Sequence, residues 1–226
     1  MITYEDQMNL FGLISKKISK DVECYAFGGT AMLFYGYKEE TKDVDLVFEK
    51  EEGRKEFIKA IEEIGYRLWT PFDIYVPEKL RDKYKPMVFK FGDGRFDLFI
   101  KKIFRTLISP SMKEDLFAVH DFKDKHNLRV KALRKEHIVL LKAVTERKND
   151  FEDIRTIVEK EKNFDWQYFI DEVIWQTMHG DSWVLFDAEK MLGELKKYVF
   201  VEQKYINQLY QVEKEENKEK LAKKKK

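Results

Sequence analysis

Between residues 4 and 20, apolar side chains at Met8, Leu10, Phe11, Leu13, Ile14 and Ile18 recur at close to helical spacing, and the apolar stretch 22–27 then reads as a short strand ending at Gly28-Gly29. A helix is expected next, capped by Thr30, filled by Ala31, Met32, Leu33 and Phe34, and ended by Gly36. Residues 43–48 form the following strand. An amphipathic helix over 52–64 places Phe57, Ile58, Ile61 and Ile64 on one side, and Gly65 terminates it. Short strands are expected at 66–69 and 74–76, around Pro71. Stretches 87–91 and 95–100 flank Gly92-Asp93-Gly94, a hairpin signal. Residues 128–133 read as a strand and 135–147 as a helix; from Asp150 onward the pattern is helical, most clearly over 164–176 and 182–198. The fold expected is α+β, with a mixed sheet flanked by helices over 1–110 and a mostly helical lobe over 111–226.

Composition narrows the class. Charged residues make up 38% of the 226 and mean hydropathy is −0.57, yet 15% are aromatic, too much bulky apolar mass for a disordered chain. No stretch approaches the roughly 18 apolar residues of a membrane span, and residues 1–20 lack the compact apolar block of a signal peptide, so a cytoplasmic location is expected. The lone cysteine, Cys24, sits in an apolar stretch and reads as a buried, inert thiol. The four histidines show no paired ligand spacing and read as surface or capping residues. The aromatic residues Phe164, Trp166, Tyr168, Phe169, Trp175 and Trp183 read as helical core. A net charge of +1 makes the chain as a whole no electrostatic magnet for nucleic acid, but a basic tail at 214–226 carries +4, either a solvated helix end or an arm that helps hold RNA.

The chemistry concentrates in three aspartates. In Lys42-Asp43-Val44-Asp45-Leu46, the carboxylates at i and i+2 of a strand share a face about 6.6 Å apart along the chain, while Val44 and Leu46 point into a core. A divalent cation would turn that repulsion into attraction. Asp97 is a third carboxylate in an otherwise apolar strand, sharing its face with Arg95 and Phe99. Three acids converging on Mg²⁺ or Mn²⁺ suit nucleotidyl transfer, and Gly28-Gly29-Thr30 adds a backbone that can approach phosphates at a helix start. Alone, that glycine motif is no more than a turn opening a helix.

The pattern Phe27-Gly28-Gly29-Thr30-Ala31-Met32, then Thr41-Lys42-Asp43-Val44-Asp45-Leu46, then Asp97, resembles the DNA polymerase beta-like nucleotidyltransferase superfamily. The resemblance implies that Gly28, Gly29 and Thr30 hold the phosphates of an NTP and that Asp43, Asp45 and Asp97 bind the metals. Residues 130–137, then Leu140-Leu141-Lys142, then Arg147-Lys148-Asn149-Asp150-Phe151-Glu152-Asp153-Ile154 are similar to the region after the catalytic core of AbiEii-type toxin nucleotidyltransferases. That similarity implies triphosphate contact by Lys142 and a supporting role for Asp153, and it extends, on a weaker match, the same roles to Arg147 and Asp150. On one continuous helix, residues 142 and 153 would share a face. In the plainer reading Asn149 or Asp150 caps a new helix and Lys142 is solvated. The resemblance further implies an RNA (tRNA) or protein acceptor, an antitoxin partner, no membrane, and a C-terminal lobe closing over the triphosphate. Antibiotic-modifying transferases share the core motifs, and a non-catalytic nucleotide- or RNA-binding module is the alternative of a different class.

Overall fold

Thr3 and Asp6 set where the first helix begins. The Asp6 N–H donates to the Thr3 hydroxyl at 3.2 Å and the Thr3 N–H donates to the Asp6 carboxylate at 3.0 Å, satisfying two donors that a helix start leaves open. The computed structural model describes residues 1–69, 85–145 and 147–224, with side chains through residue 215. In chain order the elements are β1 (Ile2–Thr3), α1 (Tyr4–Ser15), β2 (Val22–Ala26), α2 (Gly28–Tyr35), β3 (Glu40–Thr41), β4 (Asp43–Phe48), α3 (Glu51–Glu63), β5 (Arg67–Leu68), β6 (Met87–Phe91), β7 (Gly94–Ile100), β8 (Lys102–Ile103) and β9 (Thr106–Leu107). There follow α4 (Pro110–Glu114), β10 (Leu116–Lys123), β11 (Asn127–Leu133), α5 (Lys135–Ala143), α6 (Lys148–Lys160), α7 (Trp166–His179), α8 (Trp183–Leu195) and α9 (Gln203–Lys224).

The chain divides into two units, Met1–Phe104 with Met112–Arg134, and Arg105–Ser111 with Lys135–Lys226. Residues 112–134 belong to the first unit because β11 pairs in parallel with β2, from Leu128 opposite Val22 to Ala132 opposite Ala26.

The first unit is α+β. Its sheet runs β10–β11–β2–β4–β7–β6–β5 and is mixed: β11 with β2 and β4 with β7 are parallel, and the other neighbours on this path are antiparallel. Alternation puts Val44, Leu46 and Phe48 of β4 and Phe96 and Leu98 of β7 on one face, buried in a core with Phe11 and Ile14 of α1 and Phe57 and Ile61 of α3. The opposite face therefore carries Asp43, Asp45, Arg95 and Asp97. Helix α2 starts at Gly28, with Phe27 at the N-cap, so Thr30 lies inside the helix and does not cap it. The expected strand at 74–76 lies outside the described residues, and β10 had not been expected.

The second unit is helical, with α5 packed against α6, α7 and α8. Every residue from Glu136 to Ala143 is buried, so the polar ones must find partners inside. Glu136 accepts from the Asp165 N–H at 3.1 Å, and His137 Nε2 pairs with the Tyr168 hydroxyl at 3.1 Å. His137 is thus a core residue, against the surface or capping role its sequence suggested. Phe164 and Phe169 are core as expected, but Trp183 is 60% exposed at the start of α8, because that position of the helix faces outward. Among the described residues no helix is long and apolar enough to cross a membrane.

Candidate active site

Strands β4 and β7 run parallel with Asp43 opposite Arg95, Val44 opposite Phe96 and Asp45 opposite Asp97. Register partners on neighbouring strands, about 4.8 Å apart, project to the same face, so Asp45 and Asp97 stand side by side with Asp43 one pleat away. Beyond them the face turns apolar, where Phe27 meets Phe99 edge-on at 5.3 Å. The turn from β2 into α2 is built around Asp45. The Phe27 N–H donates to the Asp45 carbonyl at 3.3 Å, and the Asp45 N–H donates to the Thr30 hydroxyl at 2.7 Å. Gly28 adopts φ +55°, and a Cβ there would lie 2.6 Å from Asp45 Oδ2, so only glycine lets the carboxylate sit against the turn. A Cβ at Gly29 would strike the Thr41 hydroxyl. Thr30 is fully buried, its oxygen committed to the β4 backbone.

A cation of the chain's own stands among the acids. Arg95 forks onto Asp97, Nε to Oδ1 at 2.7 Å and Nη2 to Oδ2 at 2.6 Å, and its Nε is 3.7 Å from Asp43 Oδ1. Burial works against the guanidinium charge, but the bonds and charge of Asp97, with Asp43 and Asp45 behind them, raise its pKa above the ordinary arginine value. Trp69 borders this group, with Lys90 Nζ 3.4 Å and the Arg95 guanidinium carbon 5.9 Å from its ring centroid. Among the described residues no group of three or more His, Cys, Asp or Glu side chains stands close enough together to hold a metal ion. Arg95, touching both Asp43 and Asp97, occupies the space in which their oxygens would meet. By donor chemistry the three carboxylates still fit Mg²⁺ or Mn²⁺, and the opening that Gly28 leaves keeps the Asp45 carboxylate on this face.

Lys142, Asp150 and Asp153 come together in the second unit, but not along one helix. The predicted helix over 135–147 stops at Ala143, and α6 begins afresh at Lys148. Lys142 Nζ donates to Asp150 Oδ1 at 2.9 Å and to Asp153 Oδ2 at 2.6 Å. Asp150 Oδ2 accepts from Arg147 Nε at 2.6 Å and from the Thr145 hydroxyl. Lys142 is 6% exposed, which rules out the solvated reading, and the N-cap of α6 is Arg147 without a side-chain bond, which rules out capping by Asn149 or Asp150. Burial alone would lower the pKa of Lys142 and raise that of Asp150. Their mutual attraction, helped by Asp153 on one side and by Thr145 and Arg147 on the other, reverses both.

No family model matches this chain, and no curated protein matches it either. Solved structures do. ANT(2″)-Ia in complex with adenylyl-2″-tobramycin is 14% identical over 68% of this chain and 88% of its own, with a TM-score of 0.40. JHP933 from Helicobacter pylori is 13% identical over 99% and 98%, with a TM-score of 0.41. A protein of H. pylori described as a nucleotidyltransferase is 15% identical over 95% and 96%, with a TM-score of 0.42. All three likenesses are loose.

Sequence reasoning placed Arg95 on the face of Asp97 but gave it no role. The signal was present: opposite charges two residues apart on a strand meet on one side of the sheet. Trp69 carried no such signal, since its place beside Arg95 depends on the pairing of β6 with β7 and on the bond from its N–H to the Val88 carbonyl at 2.8 Å.

Proposed function

We propose that this chain is a metal-dependent nucleotidyltransferase that moves a nucleoside monophosphate from an NTP to an acceptor. The acceptor in this reading is RNA, tRNA above all, or a protein, as in a toxin–antitoxin system of the AbiEii type with an antitoxin as partner. The observation that carries it is the register of β4 with β7, which sets Asp45 beside Asp97 with Asp43 on the same face. The site adjoins the first turn of α2, whose backbone N–H groups and positive dipole end suit a triphosphate.

In this reading Asp43, Asp45 and Asp97 would hold the metal ions, and Asp97 would accept the proton of the attacking hydroxyl as it bonds the α-phosphorus and pyrophosphate leaves. Mg²⁺ or Mn²⁺, when bound, supplies charge neutralisation and lowers the pKa of that hydroxyl. Gly28 and Gly29 admit the phosphates to the backbone, and Thr30 keeps Asp45 in place from below. Lys142 contacts the nucleotide, with Asp153 orienting its ammonium. The test is incubation with each labelled NTP, Mg²⁺ and a cell extract. Label should pass to an acceptor whose sensitivity to ribonuclease or protease gives its class, and Asp45→Ala should abolish transfer while the fold, read by circular dichroism, stays intact. Transfer by the variant sinks the assignment. Lys142→Ala should weaken NTP binding in a titration; equal affinity would leave Lys142 as a tie between α5 and α6. The fork of Arg95 on Asp97 favours a second reading, a nucleotide- or RNA-binding module without transfer, which NTP binding without label in any acceptor would select.

A further inference from the structure

We infer that Arg95 is an internal cation that competes with the metal for Asp97 and Asp43, so that loading the site requires its fork to open. The inference rests on the reading of Asp43, Asp45 and Asp97 as metal ligands. Both oxygens of Asp97 are taken by one guanidinium, at 2.7 and 2.6 Å, and the same group lies 3.7 Å from Asp43. A divalent cation bonded to either Asp97 oxygen would stand within a few ångströms of a like charge in a half-buried setting, where screening is weak. The two cations therefore exclude one another.

The arrangement lets Arg95 leave. Its side chain is 28% exposed, against 13% for Asp97, so the arginine has the more open surroundings into which to turn. The fork also has a purpose in the cation-free protein, because three carboxylates on one face repel one another and Arg95 relieves that repulsion. The metal affinity of the site is accordingly the intrinsic affinity of its carboxylates reduced by the fraction of molecules in which the fork is closed.

The test is Mn²⁺ binding to the full chain, read as loss of the paramagnetic resonance signal of free Mn²⁺, without nucleotide or turnover. The wild type, Asp45→Ala, Arg95→Ala and Arg95→Lys are compared, each checked for folding by circular dichroism. Binding that disappears in Asp45→Ala marks the site. Arg95→Ala should bind about tenfold to a hundredfold more tightly than the wild type, the factor expected when a charge-assisted pair no longer has to be broken. Arg95→Lys keeps the charge but holds one oxygen at a time, and should tighten binding severalfold. Lysine behaving as the wild type while alanine tightens would reduce Arg95 to a background charge and overturn the inference. So would alanine binding no more tightly than the wild type; in both cases the metal site itself survives through its dependence on Asp45. Should Arg95→Ala not fold, the lysine variant decides alone. No binding by any of the folded proteins would remove the metal reading and this inference together.

Discussion

At Gly28 two demands meet in one residue. Its φ of +55° lies in the left-handed region, and the space its missing side chain leaves is filled by the Asp45 carboxylate at 2.6 Å from where a Cβ would stand. Gly28→Ala should cost about 1–2 kcal/mol from the backbone alone. It should also push Asp45 off its position beside Asp97, so transfer should fall by more than the stability loss explains. Urea denaturation beside the labelled-NTP assay checks both, and a variant of unchanged stability would deny that the turn is strained for any side chain but hydrogen. Thr30 acts on the same residue from the other side, as the acceptor for the Asp45 N–H. The glycine and threonine that sequence reading aimed at phosphate are thus first of all the mould in which a carboxylate is set.

Among the elements, α5 and α6 are joined by a buried charge cluster instead of continuing as one helix. Lys142→Met would strand Asp150 and Asp153 in the interior, and a loss of about 3 kcal/mol at neutral pH is expected, with Arg147 sparing part of the usual penalty. The folded-state pKa of Asp150 is depressed, so its contribution is present above the unfolded value near 3.9 and is lost as pH falls through the lower folded one. The gap between wild type and variant in urea should therefore narrow as pH drops below about 4; a gap that stays constant would show that packing, not charge, holds these helices. The break after Ala143 was not legible in the sequence because no glycine or proline marks it. The Thr145 hydroxyl lies 2.8 Å from the Lys142 carbonyl at the end of α5 and also meets the Asp150 carboxylate, and this second contact exists only once α6 folds back. Strand β10 was hidden for a related reason: Phe117 and Val119, 45% and 47% exposed, alternate with half-buried Ala118 and His120, so the period of two has no polar contrast. Strand β4, by contrast, was fixed to the residue, since its acids and aliphatics alternate cleanly, and that parity alone revealed the shared face of Asp43 and Asp45. Register between β4 and β7, and the rotamer that lays Arg95 on Asp97, are non-local and left no mark in either segment.

Over the whole molecule the chain passes from the first unit to the second and back before β11 is laid down, so no single cut before it yields a complete sheet. A fragment ending at Phe104 would lack β11, whose Leu128 and Val130 are fully buried in the core and whose backbone pairs with β2. It should show no cooperative thermal transition by circular dichroism, whereas a fragment ending at Arg134 should; a sharp transition in the shorter piece would mean that the core closes without β11. Cys24 lies in β2, flanked by β11 and β4, wholly buried, with burial pushing its thiol pKa far above the usual value and Sγ 3.9 Å from the Arg129 carbonyl. As the chain has one cysteine, that sulfur is a built-in stopwatch. An alkylating reagent can reach it only when the middle of the sheet comes apart, and the pace of its modification counts those openings one molecule at a time.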